Sequence, residues 1–339
     1  MAMREGGPVL CFGEMLLRLS APGKSHLLQD ARFDAHIGGA EANVAAALAR
    51  IGHPSALVTA LPDDALGDAA VEAMRAAGVD VSRVLRGPGR LGLYYLMPGA
   101  GPRAASIIYD RVDSLFAKTP ARAYDWPVLL DGMKWLHLSG ITPAIAPGSA
   151  TLSLGAIAAA KAAGVRVSFD GNFRGSMWAR WCADPAPILA GHVAGADLLF
   201  GNHRDIGLML GKEFDGESPE GRRAAALAAF DTFPELQVIA STVRVTLSPD
   251  HNRMRARIDT PNASHETDEI DIAGIVDRIG TGDAFAAGVL AGLDDGLEAA
   301  ARMGLHLAAL KHATPGDQSR TSRRDLEAFD PGAGLDIRR

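Results

Sequence analysis

Cysteine is nearly absent: Cys11 and Cys182 are the only two in 339 residues, far apart and without metal-ligand spacing. This excludes a disulfide framework and a cysteine-held zinc site, and leaves two thiols expected to be buried or idle. No apolar run reaches bilayer-spanning length, and Met1–Pro8 lacks the apolar centre of a signal peptide. The expected location is therefore cytoplasmic and off the membrane. Positive charge is not in excess: 34 Lys and Arg stand against 40 Asp and Glu, a formal net charge of -6, so no basic field points to nucleic acid. Several nucleotide and metal motifs are missing too. Gly211-Lys212 runs into Glu213 rather than completing a phosphate loop, no Gly-x-Gly-x-x-Gly follows the first apolar run, and His-Glu-x-x-His does not occur. His203-Arg204-Asp205 lacks the companion motifs of a protein kinase.

What is present is an ordinary globular composition, with 47% hydrophobic residues and a length that buries a large core. The apolar runs Val9–Phe12, Ser55–Ala60, Lys134–Gly140, Val165–Asp170, Ala196–Phe200 and Leu236–Ala240 read as strands. They alternate with helical segments such as Asp64–Ala77, Ser149–Ala163 and Glu298–His312. That alternation predicts an α/β fold with a mostly parallel sheet covered by helices on both faces. Leu16–Ile37 reads as less regular, and residues after Pro331 as a loose tail. Two alternating, aromatic-bearing runs, Leu91–Met97 and Ala104–Tyr109, flank Pro98-Gly99-Ala100-Gly101-Pro102 and predict a hairpin. No linker interrupts the chain, so a single domain is expected over 1–339. Parts of 14–37 and 91–112 would form a small β lid on its body.

Polar residues gather where strands end, the edge at which open α/β sheets bind ligands. Asp170-Gly171-Asn172-Phe173-Arg174, Gly201-Asn202-His203-Arg204-Asp205 and Ser241-Thr242-Val243-Arg244 all lie there. Two further stretches open helices. Gly38-Gly39 precedes an Ala-rich helix with Asn43 one turn inside, and Asp277-Arg278-Ile279-Gly280-Thr281-Gly282-Asp283 runs into Ala284–Leu293. Gly280 and Gly282 can bring backbone N–H groups close to a ligand, and a helix start is a seat for phosphate. Asp283 then has two readings. It is a helix-start aspartate of the common stabilising kind, or a general base beside donors that hold the phosphate its substrate attacks.

The pair of signatures decides between them. Asp277–Gly288 resembles the C-terminal signature of the ribokinase-like (PfkB) carbohydrate kinases, and Gly38–Asn43 resembles their N-terminal one. Gly39–Asn43, Leu136–Pro143 and Lys311–Asp317 are similar to phrases of 2-keto-3-deoxygluconate kinases within that family. The resemblance covers Val9 to about Phe329. It implies a three-layer Rossmann-type body with the small lid, and ATP and Mg²⁺ as co-substrates. Asp283 would be the base, with Gly280, Thr281 and Gly282 as the anion hole. Gly38, Gly39 and Asn43 would meet sugar hydroxyls, and Tyr94, Tyr109 and Arg111 would close over the substrate.

Arg174, with Arg111, would meet a sugar-acid carboxylate, for which the guanidinium fork is suited. Asn172, Asn202, Ser241, Gly282 and His312 would lie on the nucleotide side, and Asp205 would reach the metal through water. A monovalent cation such as K⁺ near Asp277 and a homo-oligomer paired through the lid are also implied. Two departures stand out: Asp205 replaces the Glu of the usual Asn-x-x-Glu, and Ser241-Thr242-Val243-Arg244 replaces Gly-x-x-Gly. Other acceptors (fructose, 2-keto-3-deoxygalactonate, a nucleoside) and a non-catalytic sugar- or nucleotide-binding homologue remain open at this point.

Overall fold

The structure, a computed structural model, describes residues 7–333. The tail expected after Pro331 lies, from residue 334 on, outside the described residues. A nine-stranded sheet forms the centre. Six of its strands are parallel, in the spatial order Ser55–Val58, Val9–Phe12, Trp135–Ser139, Arg166–Asp170, Leu198–Phe200 and Val238–Ser248. Val9–Phe12 is apolar throughout because both faces are covered. Val9 and Cys11 face one core, built with helices Ala40–Arg50, Ala65–Ala77, Thr281–Gly292 and Leu297–Lys311. Leu10 and Phe12 face the other, built with Pro147–Ala162, Ala186–Val193, His203–Leu210 and Pro219–Thr232. Each fully buried Leu or Phe of this kind contributes about 1.5–3 kcal/mol.

The sheet runs past the strand expected at Leu236–Ala240. Val238–Ser248 turns back into the antiparallel strand His251–Asp259, which also pairs with Ser264–Glu266 and Ile270–Ala273. Ser241–Arg244 is therefore strand, not a loop at a strand end. Its alternation of Val and polar residues suits a ribbon with one solvated face, whose polar side chains mimic a loop in sequence.

A second sheet has four strands in the order Asp34–Gly38, Leu16–Ser20, Gly92–Met97 and Ser106–Asp110. The first two come from the segment read as irregular. Arg18 breaks the apolar pattern of Leu16–Ser20, and Asp34–Gly38 is a mostly exposed edge, so neither shows a clean period. Among the described residues no helix is long and apolar enough to cross a membrane. Cys11 is buried and Cys182 half-buried, both as free thiols.

Candidate active site

At the C-terminal edge of the parallel strands, under the second sheet, lies a cleft of about 580 Å³. It opens onto a neighbouring cavity of about 350 Å³, and the two share a wall formed by Asn202, Arg204, Ser241, Arg244 and Gly282, among others. The walls follow from strand ends: Asp170 and Asn172 after one, Asn202 and Asp205 after the next. Asn172 takes φ 37°, a left-handed conformation that asparagine tolerates, and its N–H donates to Asp170 Oδ1 at 3.1 Å.

Asp283 sits in the first turn of the helix Thr281–Gly292, half-buried on the cleft wall. Its Oδ2 accepts from Asn43 Nδ2 at 2.7 Å, which joins the two helix starts singled out in the sequence. Burial pushes the Asp283 carboxyl up to about 7, against the Asn43 hydrogen bond, with Glu41 and Asp317 adding to the rise. Asp170 goes further, to about 8, through burial and the charges of Asp283 and Asp205. Burial also raises Asp205. Three carboxylates thus share one cleft, and burial raises each of them against the lowering effect of Arg174.

The turn before Asp283 is set by Gly280, at φ 81°. A Cβ there would lie 1.8 Å from the Asp317 carbonyl oxygen, so only glycine lets the two loops meet. Among the described residues the N–H groups of Gly280, Gly282 and Asp283 have no protein partner. The Thr281 N–H points back to Arg278 O at 3.5 Å, so the free donors are these three and not the Gly280–Thr281–Gly282 set expected.

On the opposite wall Gly39 takes φ 138°, and a Cβ there would lie 2.4 Å from the Glu14 carbonyl oxygen. Gly39, Asn43, Tyr94, Tyr109, Arg111 and Arg174 all line the cleft, whereas Gly38 packs behind it against Asp317. Tyr94 does not present a free hydroxyl, because its OH donates to Asp317 Oδ2. Arg111 is likewise committed: it is buried, with Nε 2.7 Å and Nη2 2.5 Å from Glu14 Oε2. Arg174 is exposed and, among the described residues, has no ion pair, its Nη1 donating to Phe173 O at 3.1 Å. The cation expected from Arg111 and Arg174 together is in effect Arg174 alone.

Of the residues expected to meet a nucleotide, Asn202, Ser241 and Gly282 line both cavities, and Asn172 and Asp205 line the larger. His312 does not. It is buried, with Nδ1 2.8 Å from Ala308 O, and its carbonyl accepts from Val276 and Asp277 N–H at 2.9 and 3.2 Å. Burial takes its imidazole down to about 4, which suits a neutral structural histidine. Asp205 closes a capping box by accepting from Asn202 N–H at 2.9 Å with Oδ2.

Glu14 is not singled out in the sequence, and Arg204, Arg244 and Arg278 stand in the motif stretches without a role of their own. Glu14 Oε1 and Asn43 Oδ1 are buried without a partner among the described residues. Glu14 follows the glycine that ends the first strand, a position the strand-edge rule could have flagged. Arg204, Arg244 and Arg278 line the cleft, and Arg244 lies close enough to add to the effect of burial in lowering Arg278. Strand spacing gives no hint that these three meet.

A doubly covered parallel sheet thus carries an aspartate and free N–H donors at a helix start on its C-terminal edge, groups suited to seating a phosphate beside a carboxylate. The pfkB family carbohydrate kinase model matches residues 8–323. The chain is 32% identical to 2-dehydro-3-deoxygalactonokinase of Haloferax volcanii, over 97% of its own length and 98% of that protein. It is 28% identical to 2-dehydro-3-deoxygluconokinase of Bacillus subtilis, over 93% and 92%. The crystal structure of 2-dehydro-3-deoxygluconokinase from Thermotoga maritima superposes with a TM-score of 0.89 at 33% identity, covering 95% of this chain and 98% of that one. The chain belongs to the pfkB family of carbohydrate kinases.

Proposed function

We propose that this kinase transfers the γ-phosphoryl group of ATP to the terminal hydroxyl of a 2-keto-3-deoxy sugar acid, with 2-keto-3-deoxygluconate as the acceptor and its 6-phosphate as product. The observation that carries the reading is Asp283, tethered to Asn43, raised to about 7 and adjacent to free N–H donors. Asp283 takes the proton of the acceptor hydroxyl, whose oxygen bonds to the γ-phosphorus as the bond to the bridging oxygen of ADP breaks. The Gly280, Gly282 and Asp283 N–H groups hold the charge that builds on the transferring group.

Glu14 Oε1 and Asn43 Oδ1 supply acceptors for substrate hydroxyls, and Arg174 supplies the partner for the carboxylate. The smaller cavity takes the nucleoside end of ATP, with Arg204, Arg244 and Arg278 along its phosphates. Asp170 and Asp205 fit Mg²⁺. Their mutual repulsion with Asp283 is what a cation relieves, and no three such groups converge closely enough among the described residues to cage a metal without phosphate and water. When bound, the ion neutralises phosphate charge.

The chain is one domain, and the small sheet is its lid, excluding water so that ATP is not hydrolysed. Strand Ser106–Asp110 is an edge with Ile107 38% and Ile108 56% exposed, which supports pairing with a second copy. The protein works in the cytoplasm.

The 2-keto-3-deoxygalactonate epimer is the second reading, favoured by the near full-length likeness to the Haloferax volcanii protein. The test is ADP release with ATP and Mg²⁺ against both epimers, fructose and ribose. Turnover confined to the sugar acids supports the proposal, and their ratio chooses the epimer. Turnover only with neutral sugars removes the carboxylate role of Arg174.

A further inference from the structure

The loop that carries the anion hole hangs from Asp277. This buried carboxylate accepts from Ile279 N–H at 2.9 Å with Oδ1, and from Gly316 N–H at 3.0 Å with Oδ2. Oδ2 also takes Arg18 Nη2 at 2.5 Å. Arg18 comes from the small sheet, is 4% exposed, and reaches Asp317 Oδ1 with Nη1 at 2.9 Å. Its Nε donates to Ser20 Oγ at 2.6 Å. Asp317 in turn accepts from Tyr94, and its carbonyl touches Gly280. Lys311, at the end of helix Leu297–Lys311, has no exposed surface. Its Nζ donates to Thr314 O at 2.9 Å, and Asp277 and Asp317 are the acidic charges that act on it most.

Asp277 and Asp317 both pair directly with Arg18, while Lys311, its pKa lowered by burial, makes no ion pair with either among the described residues and instead occupies the Thr314 carbonyl. A potassium ion trades its hydration shell for a cage of oxygens. Here both Asp277 oxygens are engaged, the Thr314 carbonyl is taken by an ammonium, and a third positive charge would stand beside two buried ones. The residues do not fit the monovalent ion that the family resemblance implies near Asp277.

We propose that Arg18 and Lys311 are built-in cations that hold the anion-hole loop in place of a bound monovalent ion, so that this kinase works without one. Arg18 is then a positioning residue: it touches neither substrate nor the reacting atoms, and acts through Asp277 and Asp317 on Gly280. The proposal rests on reading Gly280–Asp283 as the phosphate site, and its first readouts do not need turnover.

The experiment compares the full-length protein in KCl, NaCl and tetramethylammonium chloride at equal ionic strength. Thermal unfolding, Mg·ADP affinity by calorimetry and turnover are measured in each salt. All three are expected to differ by less than about twofold in equilibrium or rate between salts. Potassium activation or tightening of Mg·ADP beyond about tenfold would overturn the proposal.

Arg18→Ala opens the position an ion could fill. Its Mg·ADP affinity or kcat is expected to fall by at least about tenfold and to recover in part with KCl or guanidinium chloride but not tetramethylammonium. A folded Arg18→Ala protein with unchanged affinity and kcat, or with losses that neither salt restores, overturns the positioning role. If that variant does not fold, the salt series on the wild type decides alone. Salt-independent Mg·ADP binding without turnover on any acceptor would count against the substrate assignment and leave the built-in cations standing.

Discussion

Asn43 and Asp283 lie 240 positions apart and meet in one hydrogen bond of 2.7 Å. The bond ties the start of helix Ala40–Arg50 to that of Thr281–Gly292, so the acceptor side and the phosphate side share one carboxylate. Because Asn43 donates, it leaves the carboxylate's other oxygen for the substrate proton. Asp283→Asn should lower kcat by about a thousandfold with little change in KM, the scale expected for losing a general base. Steady-state ADP release checks this, with circular dichroism melts showing that the fold is kept. A loss of less than about tenfold would remove the base role.

Asp283 and Asp170 give the enzyme a defined pH response. Their carboxyls stand near 7 and 8 in the folded protein, against 3.8 as the ordinary value. The folded state therefore holds more protons than the unfolded chain between those limits. Stability is greatest below about pH 4 as far as these two groups are concerned, and is lost as pH rises through 7 and 8. Melting temperatures from pH 5 to 9 should fall along this limb, and Mg²⁺ with nucleotide should flatten it. In the same interval kcat/KM should rise with pH as Asp283 ionises. A flat melting profile would show that the carboxyls are not raised.

Gly39 is a backbone requirement at the substrate wall. Gly39→Ala would place a methyl 2.4 Å from the Glu14 carbonyl in a φ of 138°. The strain should cost about 1–3 kcal/mol and displace Asn43 from Asp283. A lower melting temperature together with a lower kcat is the expected result, and wild-type values for both would refute the tight contact.

Arg111 and Arg174 should separate cleanly. Arg111→Ala leaves Glu14 buried without its cation and should destabilise by about 3–5 kcal/mol, seen as a large drop in urea midpoint. Arg174→Ala should leave stability nearly unchanged and raise KM for the sugar acid by at least about tenfold, the loss of one charge-assisted contact. An unchanged KM would move carboxylate recognition elsewhere in the cleft.

The body of the fold was legible because its signals are local. The apolar runs at Val9–Phe12 and Val165–Asp170, and the helix-opening glycines 38, 39, 280 and 282, each need only a few neighbouring residues to recognise. Leu16–Ser20 escaped because Arg18 interrupts its pattern, and that charge makes sense only once Asp277 and Asp317 are placed against it. His312 stands in the family-like phrase Lys311–Asp317, but its ring turns inward to Ala308 and Asn252, away from the cleft.

By itself the amino-acid sequence determined the α/β class, the two helix-start motifs and the aspartate within the second, since backbone propensity, turn chemistry and burial period act over short spans. Only the tertiary structure decided which charges remain free. Whether an arginine meets a ligand or a carboxylate depends on what long-range packing brings within about 4 Å of it, where Coulomb attraction outweighs exposure to water. Arg111 and Arg18 found Glu14, Asp277 and Asp317, and Arg174 was left facing the cleft.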